Sequence, residues 1–166
     1  MKQFIKLPFV AVLPVFILLS CSAAEDAAFQ HPYLSQLSNT ECLMNEDTDF
    51  FQSRSENRKG SFEMVFVGSV ANCKFTSLEY PCDFGEVNIN VLYNDGVLTI
   101  VEYPSSDNAD CHCEIDATFS IMGMTEDEFI LKIYHGDFTG NYDTNSPKHT
   151  GKVNIKSGSI TIPYHV

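Results

Sequence analysis

Eleven consecutive residues, from Cys111 to Ile121, alternate without a break between two kinds of side chain. Cys111, Cys113, Ile115, Ala117, Phe119 and Ile121 fall on one parity, and His112, Glu114, Asp116, Thr118 and Ser120 on the other. A strand sends successive side chains to opposite faces, so the segment reads as a half-buried antiparallel strand with one apolar face. Such a strand needs partners at its edges and a layer over its apolar face, which commits the rest of the chain to layered β-structure.

The same period recurs elsewhere. Phe62, Met64 and Phe66 alternate with Glu63 and Val65, predicting a strand that runs towards Val67. Val87, Ile89 and Val91 lead into Asn94-Asp95-Gly96, after which Val97 to Tyr103 resumes as a second β-branched run. That is a hairpin signature, because Asn, Asp and Gly tolerate the positive φ of a tight turn. Pro104 to Asp110 reads as a loop, and Phe129, Leu131 and Ile133 as a strand after a turn at 123–127. Val153-Ile155 and Ile160-Ile162 flank Ser157-Gly158-Ser159 and read as another hairpin. Residues 34–60 predict one short strand near Cys42 and a long loop, with a charged stretch from Ser53 to Lys59. No segment has a helical period. The expected fold is all-β: an antiparallel β-sandwich or open barrel of six to eight short strands, forming a single domain over residues 34–166.

The N-terminus carries Lys2 and Lys6, no acid, and an apolar run from Leu7 to Leu19 broken only by Pro8 and Pro14. This is the pattern of a secretory signal, and it is short for a membrane span. It ends in Leu18-Leu19-Ser20-Cys21, which resembles the bacterial lipobox, with residues 1–20 as the lipoprotein signal peptide and Cys21 as the lipidated residue. Residues 21–33 are small and acidic and read as a flexible tether. The expected location is therefore the bacterial outer membrane, anchored by lipid and facing the periplasm or the cell surface. Without Lys2 and Lys6 the chain has 8 basic and 22 acidic residues, a net charge of −14. Phosphate backbones repel such a surface, so nucleic acid is excluded as a partner, whereas a basic protein, a cation or a glycan is compatible.

Beyond Cys21, five cysteines remain: Cys42, Cys73, Cys82, Cys111 and Cys113. Export places them where disulfides persist. Five cysteines allow two bridges and one spare thiol in about 15 arrangements. Cys111 and Cys113, about 6.6 Å apart on one strand face, are too widely spaced to bond to each other. Each is expected to reach another element, with one of them pairing with Cys42 or Cys82 as the first guess. A zinc site built on Cys111-His112-Cys113 is disfavoured, since alternation turns His112 away from both sulfurs.

Candidate chemistry is sparse. The five histidines, His31, His112, His135, His149 and His165, sit in no catalytic motif, and no nucleophile elbow, zinc-protease helix or phosphate loop occurs. His112, Glu114 and Asp116 share a strand face and could do acid–base work, although a solvated outer face explains them more simply. Asp137, Asn141, Asp143 and Asn145 offer oxygen ligands but lack an EF-hand's glycine and final glutamate. Tyr80, Tyr142 and Tyr164 could build a sugar-binding platform. No cofactor, resident metal or catalytic residue is assigned.

Asn39-Thr40-Glu41-Cys42, Asn72-Cys73, the run Val97 to Glu102 and the strand Cys111 to Ile121 together resemble a group of secreted and lipid-anchored Bacteroidetes proteins. That group has an early Cys-Lys-like motif, a mid-chain Asn-Cys-Cys motif and a strand of the form C-x-C-x-x-D-x-x-Y/F-x-I. The resemblance spans residues 39 to 135. This chain departs from it at Lys74, where the group has a second cysteine, and places Cys82 further on. The resemblance implies a small β-sandwich of the cell envelope and no particular activity. The functional expectation is a non-enzymatic binding or structural module. The alternatives are an acidic inhibitor of a basic envelope-targeting enzyme such as lysozyme, and a hydrolase using His112.

Overall fold

The computed structural model describes residues 31–42 and 60–165. The signal segment 1–20, Cys21, most of the tether and the charged stretch 53–59 lie outside the described residues. Among the described residues nine strands form: β1 (Tyr33–Asn39), β2 (Ser61–Val67), β3 (Val70–Pro81), β4 (Val87–Asn94), β5 (Val97–Pro104), β6 (His112–Met122), β7 (Glu128–His135), β8 (His149–Asn154) and β9 (Ser159–Pro163). They make a five-stranded sheet in the order β1-β6-β3-β2-β9 and a four-stranded sheet in the order β4-β5-β7-β8. The two sheets share one apolar core, so the fold is a β-sandwich with no closed barrel. All pairs are antiparallel except β5 and β7, which run parallel. No helix among the described residues is long and apolar enough to cross a membrane.

The alternating segment becomes β6, between β1 and β3, with Cys113, Ile115, Ala117, Phe119 and Ile121 buried against the other sheet. Its partner β3 is the longest strand, at 12 residues, and is the one that the sequence period does not disclose. Ala71, Cys73 and Phe75 face inward, but so do Leu78 and Tyr80, one residue out of phase. A bulge between Phe75 and Leu78 absorbs the extra residue, with Ser77 at φ 54°. Asp116 on β6 pins the bulge: its Oδ1 accepts from the Ser77 N–H at 3.1 Å, and its Oδ2 lies 3.0 Å from Lys74 Nζ. The strand expected near Cys42 is β1, which ends at Asn39 and leaves Cys42 just beyond it.

The expected hairpin at 153–162 does not form. β8 pairs with β7 in one sheet and β9 with β2 in the other. A single 3₁₀ turn, Ile155–Ser157, carries the chain between layers, with Asn154 Oδ1 accepting from Lys156 N–H at 2.8 Å. The first hairpin does form: Asp95 (φ 48°) and Gly96 (φ 75°) are its two turn residues, joining β4 to β5. Positive φ at both residues matches the twist of the flanking strands. A Cβ on Gly96 would meet no atom, so Gly96→Ala tests backbone strain alone. It is expected to cost about 1 kcal/mol, read as a lower urea midpoint with an unchanged slope.

Two disulfides staple β6. Cys42–Cys113 ties the end of β1 to it, and Cys82–Cys111 joins the chain leaving β3 to the chain entering β6, with Cα separations of 5.6 and 5.5 Å. Cys113 faces the core as expected; Cys111 does not, because it precedes β6 and is exposed. Cys73 is a free thiol, 3 % exposed, and burial pushes its pKa well above the usual thiol range.

Candidate functional site

At the end of the sandwich remote from the Asp95-Gly96 turn, the core becomes polar. On β5 the inward parity runs Leu98, Ile100, Glu102, and on β7 it runs Phe129, Leu131, Ile133, His135. Each strand thus carries an ionisable residue in its apolar row, the last of the row on β7 and next to the buried Pro104 on β5, and parallel pairing sets Glu102 beside His135. From the opposite sheet comes Tyr164, just past β9, placed by a backbone bond from its N–H to Gly60 O at 2.9 Å. Gly60 is required there, since a Cβ would collide with the Tyr164 carbonyl.

Glu102 is fully buried. Its Oε1 accepts from the Tyr164 hydroxyl at 2.7 Å and lies 2.8 Å from His135 Nδ1. Burial, followed by the Glu102 charge and hydrogen bond, drives the Tyr164 pKa far above that of an ordinary phenol. A carboxylate in a core is costly unless donors surround it. Here two groups meet one oxygen while the other, Oε2, has no hydrogen-bond partner among the described residues. The Tyr80 hydroxyl is likewise buried without a partner, and its ring lies 5.9 Å from that of His135.

His135 is the outlet of this cluster. Its side chain is 30 % exposed and lines a pocket of about 330 Å³, together with Tyr80, His112, Glu79, Asp107 and Phe138. With Nδ1 directed at Glu102, Nε2 is the ring nitrogen that Glu102 does not engage. The loop after β7 forms one wall. Asp137 Oδ1 accepts from the Thr139 N–H (2.9 Å), the Thr139 hydroxyl (2.6 Å) and the Asn141 N–H (3.0 Å). These bonds, the Thr139 hydroxyl first, hold the Asp137 carboxyl below the usual carboxylate range.

Several expected site residues end up in other roles. His112 is exposed and lines the pocket, but its strand neighbours Glu114 and Asp116 do not, and Asp116 is engaged by Lys74 and Ser77. Tyr80 and Tyr164 are 1 % and 2 % exposed, and Tyr142 packs on Tyr134 at 4.7 Å, so the aromatic platform is absent. Asp137 and Asp143 shape their loop, Asp143 Oδ1 accepting from Asn145 N–H at 2.9 Å. No group of three His, Cys, Asp or Glu side chains among the described residues is placed to hold a metal ion. Glu102 and His135 were not singled out by sequence reasoning. The available signal was parity, since each stands in register with core residues of its own strand.

The chain matches no protein-family model, no curated protein and no solved structure.

Proposed function

We propose that the protein is an exported, lipid-anchored envelope module that captures a polar ligand in the pocket beside His135, without carrying out chemistry on it. The supporting observation is the fully buried Glu102, which orients His135 at the pocket wall. A buried carboxylate with an unsatisfied oxygen is a poor choice for stability alone.

Two experiments test the parts separately. Small polar compounds titrated into the full chain should shift backbone amide resonances at Tyr80, His135 and Phe138. Asp107→Trp, an exposed position at the pocket, should abolish those shifts. Shifts scattered elsewhere, or unchanged in the variant, would remove the pocket from the reading. For the anchor, a palmitate analogue should label the wild type and not Cys21→Ala. Persistent labelling would remove Cys21 from it.

A second reading rests on the same hydrogen bond. A histidine oriented by a carboxylate is also a general base, so His135 could activate a water. Turnover of a captured ligand that vanishes in Glu102→Gln would favour this over simple capture.

A further inference from the structure

We propose that the pocket beside His135 receives a protonated amine or guanidinium group, carried by a small organic cation or by a lysine or arginine side chain of a partner. Glu79, Asp107 and Asp137 supply its counter-charge and Phe138 an aromatic face. The inference rests on the pocket being a ligand site, and it names the chemistry that site selects.

The polar groups around the pocket are overwhelmingly acceptors. No Lys or Arg lines it. The backbone N–H groups of Gly136 and Asp137 are already engaged, with Glu102 O and Asn141 O, each at 2.9 Å. Glu79 and Asp107 are exposed, with no ion pair among the described residues. Three donors converge on Asp137 Oδ1. A ligand must therefore bring donors, and three carboxylates favour one that also brings positive charge.

One buried group points to a polar ligand independently of the surface acids. Tyr80, only 1 % exposed, is among the residues lining the pocket, and its hydroxyl has no hydrogen-bond partner among the described residues. Buried polar atoms are rarely left unsatisfied, so a polar ligand entering at this end offers the Tyr80 hydroxyl a partner. An anion is excluded by the acids and by the chain's net charge of −12. A bare metal ion is disfavoured, because no three ligating groups converge among the described residues. An organic cation can instead span separated acceptors while resting on Phe138, which is 56 % exposed.

The test titrates the full chain with three probes at matched ionic strength: n-butylammonium, a short lysine-containing peptide with blocked ends, and N-acetylglucosamine as a neutral polyol. Resonances of Tyr80, His135 and Phe138 report binding. Both cations should saturate, and the double variant Glu79→Gln/Asp107→Asn should weaken them at least about tenfold. Raising salt to ~0.5 M should weaken binding in the wild type, since exposed charges are screened. Both substituted positions are exposed, so an unchanged melting temperature will show that the fold survives. Comparable affinity for butylammonium and peptide assigns the site to a small cation; markedly tighter peptide binding assigns it to a partner's side chain. Cation binding that the double variant leaves intact overturns the proposal. Saturation by the sugar alone overturns it too, while leaving the pocket as a ligand site. Silence of all three probes overturns it, and the ligand-site reading then stands or falls on the wider screen with Asp107→Trp.

Discussion

Replacing Glu102 by alanine is expected to destabilise the protein by about 3–5 kcal/mol. The loss has two sources. The Tyr164 hydroxyl, on a residue 2 % exposed, loses its only acceptor among the described residues and stays in the core. The Glu102 side chain also leaves a void between the sheets, which relaxes incompletely. Glu102→Gln keeps the shape and an acceptor for Tyr164, so its cost should be smaller. Glu102→Leu combined with Tyr164→Phe removes donor and acceptor together, and should be close to neutral or stabilising. Urea midpoints for the three variants check this ordering. If alanine proves no worse than glutamine, the carboxylate does not hold the cluster together. If the apolar pair restores stability but pocket binding disappears, the polar cluster serves the ligand rather than the fold.

Removing the Cys42–Cys113 bridge by double alanine substitution is expected to cost about 4 kcal/mol, because it opens a closed loop with a sequence separation of 71. The Cys82–Cys111 bridge, with a separation of 29, should contribute somewhat less, about 3.5 kcal/mol. The two losses should also differ in kind. β1 is an edge strand that buries no residue fully, and its ladder with β6 is interrupted between Ser35 and Ser38, where Gln36 adopts φ 55°. Without Cys42–Cys113, the amides of Leu34 to Asn39 should exchange with solvent well before the core does. β3 and β6 instead share a long ladder, so loss of Cys82–Cys111 should lower global stability without releasing a strand. Hydrogen exchange followed strand by strand distinguishes the outcomes. Retained protection of β1 in the first variant would show that its ladder suffices.

The strands that sequence reasoning found are those in which burial keeps strict step with the residue count. β6 keeps its apolar residues on one parity over its whole length because no bulge interrupts it, although Ser120 on the other parity is buried too. β3 alternates just as well on each side of Thr76 and Ser77, but one inserted residue inverts the parity between the halves and hides the longest strand. The hairpin at Asp95-Gly96 was legible because its chemistry is local to two residues. The hairpin expected around Gly158 had equally suitable local residues. What decided against it was the placement of β8 and β9 at edges of different sheets, which no local signal carries.

The candidate site shows the same division. Cys21, the acidic charge and the set of cysteines available for bridging belong to the sequence by itself, because they depend on residue identity and order. So does the β-rich character of the chain, which follows from a period of two. The pairing of the cysteines, the burial of Glu102 and its meeting with His135 and Tyr164 belong to the tertiary structure. Glu102 and Tyr164 are 62 residues apart and lie in opposite layers of the sandwich. Alternation can show that an acid and a histidine stand in register with their own core rows; only the parallel pairing of β5 with β7 and the closing of one sheet over the other bring them to one oxygen.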